Sequence, residues 1–121
     1  MGLDIYASRL PDDIELSEDD LHAFEKSGAS LCGGMFSGGG NDGSFRGKVY
    51  QVLILDISGF SLACDWTPPE EVCQIYHSLM ACDPDRAAAA YGYRNTGEDI
   101  LNLRKFFRVA CERGLGLIGW Y

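Results

Sequence analysis

The sequence predicts an α+β fold in one domain, with a small, mainly antiparallel sheet packed against three main helices. Three observations carry that prediction. Leu3, Ile5 and Ala7 alternate with Asp4, Tyr6 and Ser8, the period of a half-buried strand over 2–9. Thr67-Pro68-Pro69-Glu70 reads as an N-cap, prolines in the first turn and a capping-box acid, opening a helix over 68–81 with Val72, Ile75, Tyr76, Leu79 and Met80 on its apolar face. The closing stretch, TGEDILNLRKFFRVACERGLGLIGWY, reads as a capped helix over 98–113, a glycine stop at Gly114 and a last strand over 115–121.

In chain order, Pro11 ends the first strand. Residues 11–28 form an acidic segment in which PDDIELSEDD holds six acids. Ser17 and Asp20 make a capping-box start for a short helix stopped by Gly28, and Leu21 and Phe24, its only clear apolar contacts, give it a peripheral place. Residues 32–47, CGGMFSGGGNDGSFRG, contain seven glycines, which no regular element would select. This stretch is expected to be a loop, with Leu31, Met35, Phe36 and Phe45 as its anchors.

Residues 48–58 are ambiguous. Their β-branched content favours a strand, whereas Val49, Leu53 and Ile57 at four-residue steps, with Gly59 as a stop, favour a helix; we take the helix. Phe60–Cys64 is then a third strand, over 60–64. Asp85–Gly92 is a short alanine-rich helix, and residues 93–97 turn into the last helix, for which Thr96 and Asp99 form the cap.

With 121 residues, the chain is long enough for one domain over 1–121 that buries roughly two thirds of its unfolded surface. The net charge is −8, and the imbalance is local: residues 1–45 hold nine acids and two bases, the remainder nine and eight. Without a basic stripe, nucleic acid is excluded as a partner, and a basic protein is the electrostatically favoured one. No apolar run reaches the 18 residues or so of a membrane span, so no membrane partner is expected. Five cysteines without a C-x-x-C pair, and an N-terminus without a secretory apolar run, point to the cytoplasm.

MGLDIY, SFRGKVYQVLILDISGFSL followed by WTPPEEV, and LRKFFRVACERGLGLIGWY, in that order, resemble a family of small uncharacterised bacterial proteins. The resemblance covers most of the chain outside residues 10–43. It implies a compact α+β fold with both ends in the core and a helical reading of 48–58; it transfers no catalytic residue.

Candidate chemistry is sparse. The glycine loop runs into Arg46-Gly47-Lys48, but Asp42 stands where a phosphate-binding loop has its first glycine, and Val49 where it has Ser or Thr. Cys73 and His77 lie one helical turn apart, a spacing for two metal ligands with no further pair to complete a site. Neither His22 nor His77 has a nucleophile at a recognised spacing, so the reading leans away from an enzyme, and no cofactor is implied. If the first and last strands are neighbours, Asp4 and Tyr6 share a face with Trp120, and Arg46 joins them. With Lys48, these form the candidate ligand site. The expected function is a non-catalytic interaction protein, a homo-oligomer or a partner of a basic protein. Leu101 and Val109, on the wet side of the last helix, suggest a homodimer contact or coverage by the glycine loop. The alternative is a binder or enzyme for a phosphate-containing small molecule, using the loop with Arg46 and Lys48.

Overall fold

The computed structural model describes residues 2–90 and 95–120. In chain order the elements are β1 (Asp4–Ser8), α1 (Glu18–Ser27), β2 (Ser44–Arg46), a 3₁₀ turn (Gly47–Val49), α2 (Gln51–Ser58), β3 (Trp66–Thr67), α3 (Pro69–Ala81), α4 (Pro84–Ala90), α5 (Gly97–Glu112) and β4 (Gly116–Trp120). The sheet is antiparallel throughout and runs β2-β1-β4-β3. The α+β class holds, and 48–58 is helical, closed by Gly59 at φ +81°. Position 121 of the last strand, 91–92 of the alanine-rich helix and 93–94 of the following turn lie outside the described residues.

Three expectations about the strands and the start of α3 are corrected. The third strand is Trp66–Thr67, not 60–64. Ser58 and Ser61 accept the amides of Phe60 and Ala63 in local turns that compete with a ladder. The backbone of this stretch crosses Gly119 so closely that a Cβ there would lie 2.3 Å from the Cys64 carbonyl oxygen. With Thr67 in that strand, the N-cap of α3 is Pro68, and no side chain caps it. The glycine stretch also contains a strand: β2 pairs with β1 and buries Phe45 opposite Ile5.

One face of the sheet meets the helices. Ile5, Ala7, Phe45 and Leu117 point there, and Phe24, Phe45, Phe106 and Phe107, all fully buried, form an aromatic cluster with Phe24–Phe106 and Phe45–Phe106 centroids 4.9 and 4.8 Å apart. Each buried ring contributes about 1.5–3 kcal/mol by removal from water, and favourable ring pairs add about 0.5–1.5 kcal/mol. Phe24 lies on α1, so that helix is a core element, contrary to its expected peripheral place. Cys73 of α3 and Cys111 of α5 are disulfide-bonded, with Cα atoms 4.8 Å apart. The pairing is not legible from their spacing, and it takes Cys73 away from the metal-ligand pair with His77.

Both capping boxes form as expected, Ser17 with Asp20 and Thr96 with Asp99. Asp20 does more than cap. Its side chain is fully buried, receives Arg9 Nε and Nη2 at 2.8 and 2.7 Å and Arg113 Nε at 2.6 Å, and accepts the Ser17 amide at 3.0 Å. Burial alone would raise the Asp20 carboxyl; the bonds from Arg9, Arg113 and Ser17 outweigh it and hold the group far below the ordinary carboxylate range. The lowered folded-state value means that this contribution to stability is complete above an unfolded value near 4 and declines as pH falls below it.

Asp20→Asn should cost about 3 kcal/mol in urea unfolding at neutral pH, and the difference from wild type should shrink below about pH 4. A cost that stays constant down to about pH 2 would refute the assigned linkage. Deleting 117–121 should abolish the cooperative thermal transition, since β4 is the strand that joins β1 to β3; a folded, soluble truncate would show that β4 is dispensable.

Candidate functional site

The site lies on the sheet face turned away from the helices. Strand alternation puts Asp4, Tyr6 and Ser8 on that face. Asp4 stands opposite Arg46 on one side and Trp120 on the other, and the next row is Ser44, Tyr6, Ile118 and Trp66. The structure therefore brings together four of the five sequence-chosen residues: Asp4, Tyr6, Arg46 and Trp120. Lys48 is not among the described residues that line the cleft; it is exposed in the 3₁₀ turn, where its amide donates to the Leu3 carbonyl.

The glycine loop is folded onto this face by specific bonds. Ser37 Oγ donates to Asp4 Oδ1, and the Tyr6 hydroxyl donates to the Phe36 carbonyl. The base of the loop is pinned by the Cys32 amide on the Tyr50 hydroxyl at 2.8 Å and the Ser30 amide on Asn102 Oδ1 at 3.0 Å. Glycine is needed at position 34 because a Cβ there would lie 2.2 Å from Asp4 Oδ1. The loop amides are committed internally: Gly34 to Ser37, Gly38 to Ser44 Oγ and Gly40 to the Ser44 carbonyl. These three amides are therefore turned inward, and a phosphate would find them already engaged.

Two of the expected anchors do not anchor. Leu31 and Phe45 are buried, but Met35 is 88% and Phe36 71% exposed, and they stand beside Trp120, 59% exposed. Trp120 therefore belongs to the core through its strand backbone and to the surface through its ring. A cleft of about 370 Å³ is walled by Asp4, Arg46, Met35, Phe36 and Trp120, and an adjoining hollow of about 330 Å³ by Tyr6, Ile14, Phe36 and Trp120. Sequence reasoning misses Met35, Phe36 and Ile14 as site residues because they come from loops that only the fold brings to the sheet.

The site carries charge of both signs: the buried Asp4 and the Arg46 guanidinium line the cleft, and Asp42 lies near Tyr6. Burial raises the Tyr6 hydroxyl, and the nearby charges of Asp4 and Asp42 raise it further. Asp42 in turn accepts the Ser44 amide and hydroxyl at 3.1 and 2.8 Å. Among the described residues, no hydrogen bond or ion pair engages the Arg46 guanidinium, and no group of three His, Cys, Asp or Glu could hold a metal ion. No helix in the described chain is long and apolar enough to cross a membrane. Comparison with protein-family models, with curated proteins and with solved structures yields no match to this chain.

Gly34→Ala should displace the loop from Asp4, lowering stability by about 1–3 kcal/mol and shifting Trp120 fluorescence. An unchanged emission maximum and melting temperature would mean that the Asp4–Ser37 contact does not hold the loop.

Proposed function

We propose that this protein is a non-catalytic interaction module whose outer sheet face docks a basic protein segment bearing an apolar anchor. The observation that supports this reading is the contiguous exposure of Met35, Phe36 and Trp120 on a face flanked by Asp4 and Asp42. Large apolar side chains exposed together are uncommon unless a partner covers them, and aromatic residues set in a polar surround are the usual anchors of an interface. Asp42, the exposed carboxylate near Tyr6, favours positive charge and steers the encounter. We place the interaction in the cytoplasm; the Cys73–Cys111 disulfide favours an oxidising compartment instead, and alkylation immediately after lysis, which labels both residues only if they are thiols in the cell, decides between the two.

In an NMR titration with an amphipathic Lys- and Leu-rich peptide, amide shifts should cluster at Tyr6, Phe36 and Trp120. An acidic peptide of the same length should leave them unmoved. Phe36→Ser with Trp120→Ser should keep the fold and weaken binding at least about 30-fold, the equivalent of about 2 kcal/mol. Equal shifts with both peptides, or undiminished affinity in the double variant, would overturn the reading.

A second reading, a phosphate-containing small molecule held by Arg46 and Lys48, draws support from Arg46 in the 370 Å³ cleft. Asp4 opposite Arg46 disfavours an anion there. In a thermal-shift screen a true ligand at about one hundred times its dissociation constant adds about 2.7 kcal/mol, and that gain should vanish in Arg46→Ala.

A further inference from the structure

A groove lies away from the sheet face, between α1 and α5. It has a volume of about 510 Å³, and its walls carry Lys26, Lys105, Arg108 and Arg113 against a single acid, Glu112. In a chain of net charge −8 this is a concentrated reversal of sign. Among the described residues Arg108 pairs only with Glu112, one turn on, in a pair whose side chains are 67% and 58% exposed, so that contact is weak and exchangeable. Arg113 is anchored from beneath by Asp20. Among the described residues Lys26 and Lys105 are in no salt bridge.

The complementary surface is on the same chain. Asp12, Asp13, Glu15, Glu18 and Asp19 are all exposed, and Leu10 and Ile14 among them are apolar and 48% and 44% exposed. This segment cannot swing into its own groove. The buried Ser8 hydroxyl bonds the Leu10 and Asp13 carbonyls and the Glu15 amide, the Arg9 amide bonds the Glu15 carbonyl, and the Ser17 cap fixes the first turn of α1. We infer that the α1–α5 groove of one molecule receives the acidic 11–19 segment of a second copy, a head-to-tail contact. It shares with the proposed function only the premise that acidic surface serves docking. Whole-molecule repulsion between two anions opposes the contact, but at about 0.1 M salt charges beyond about 10 Å are largely screened while pairs in contact are not. A head-to-tail contact leaves one groove and one segment unfilled in each dimer unless a rotation closes the ring.

The test is sedimentation velocity of the full chain, up to about 1 mM, in about 0.1 M and about 1 M salt. Concentration-dependent association at the lower salt should disappear at the higher. Lys26→Gln with Lys105→Gln should remain monomeric, as should Asp12→Asn with Asp13→Asn and Glu15→Gln. All these side chains are exposed, and circular dichroism melts should show that both variants fold. An equimolar mixture of the two should regain a dimer, because one supplies the intact segment and the other the intact groove. Phe36→Ser should associate as wild type does. A wild-type monomer at both salts, association that survives the groove variant, or a mixture that stays monomeric would overturn the inference. Loss of association in Phe36→Ser alone would assign it to the sheet face, and a monomer whose Lys26 and Lys105 amides shift with an acidic peptide would assign the groove to a foreign chain.

Discussion

The pairing of β1 with β4 is the constraint on which the rest depends. Five register pairs, from Asp4↔Trp120 to Ser8↔Gly116, join residues more than a hundred positions apart. They place β2 and β3 as edges, and both edges are short, three and two residues, which limits the unpaired backbone open to other chains. The same register decides the site. Alternation sends Ile5 and Ala7 to the helices and leaves Asp4 and Tyr6 outside, with Trp120 and Arg46 forced to flank Asp4. A slip of one residue would turn Asp4 toward the helices and Ile5 away from them, so the core and the candidate site specify each other.

Asp20 supplies a second constraint at the opposite side of the molecule. It joins the end of β1 through Arg9, the start of α1 through Ser17 and the end of α5 through Arg113. A buried carboxylate is tolerable only with such a set of donors, and removing it strands two guanidiniums along with a helix cap. By tying α1 to α5 it also helps to shape the groove between them. The cations lining that groove come from residues 26 and 105–113, and the helices that wall it are held together by the Asp20–Arg113 pair and by the Phe24–Phe106 contact.

Local chemistry is legible where one or two residues decide the outcome. Ser17 and Asp20, Thr96 and Asp99, and the glycines at 28, 59 and 114 mark helix ends that the structure contains. The face shared by Asp4, Tyr6 and Trp120 comes from alternation once the terminal strands are paired. Features made by long-range contact are not legible in this way. β2 is three residues between glycines and has no period to detect; it is a strand because Ile5 and the aromatic cluster accept Phe45. The Cys73–Cys111 bond, 38 residues in span, needs α3 against α5. Sequence proximity groups Lys48 with Arg46, yet Lys48 lies in the 3₁₀ turn after β2 and is not among the described residues lining the cleft.

The exposed aromatics bear most directly on function, because exposure and order are separate properties here. Phe36 is mostly solvent-accessible, yet its carbonyl holds the Tyr6 hydroxyl, and the adjoining Ser37 holds Asp4. Trp120 is exposed at its ring while its backbone is a rung of the central strand pair. A surface loop free to choose would fold these rings inward, where burial of each contributes about 1.5–3 kcal/mol. The hydrogen bonds from the sheet and the glycine at position 34 keep the loop in the arrangement that leaves them out. An apolar surface held rigid in this way loses little conformational entropy when another chain covers it, which is the physical requirement for a docking face.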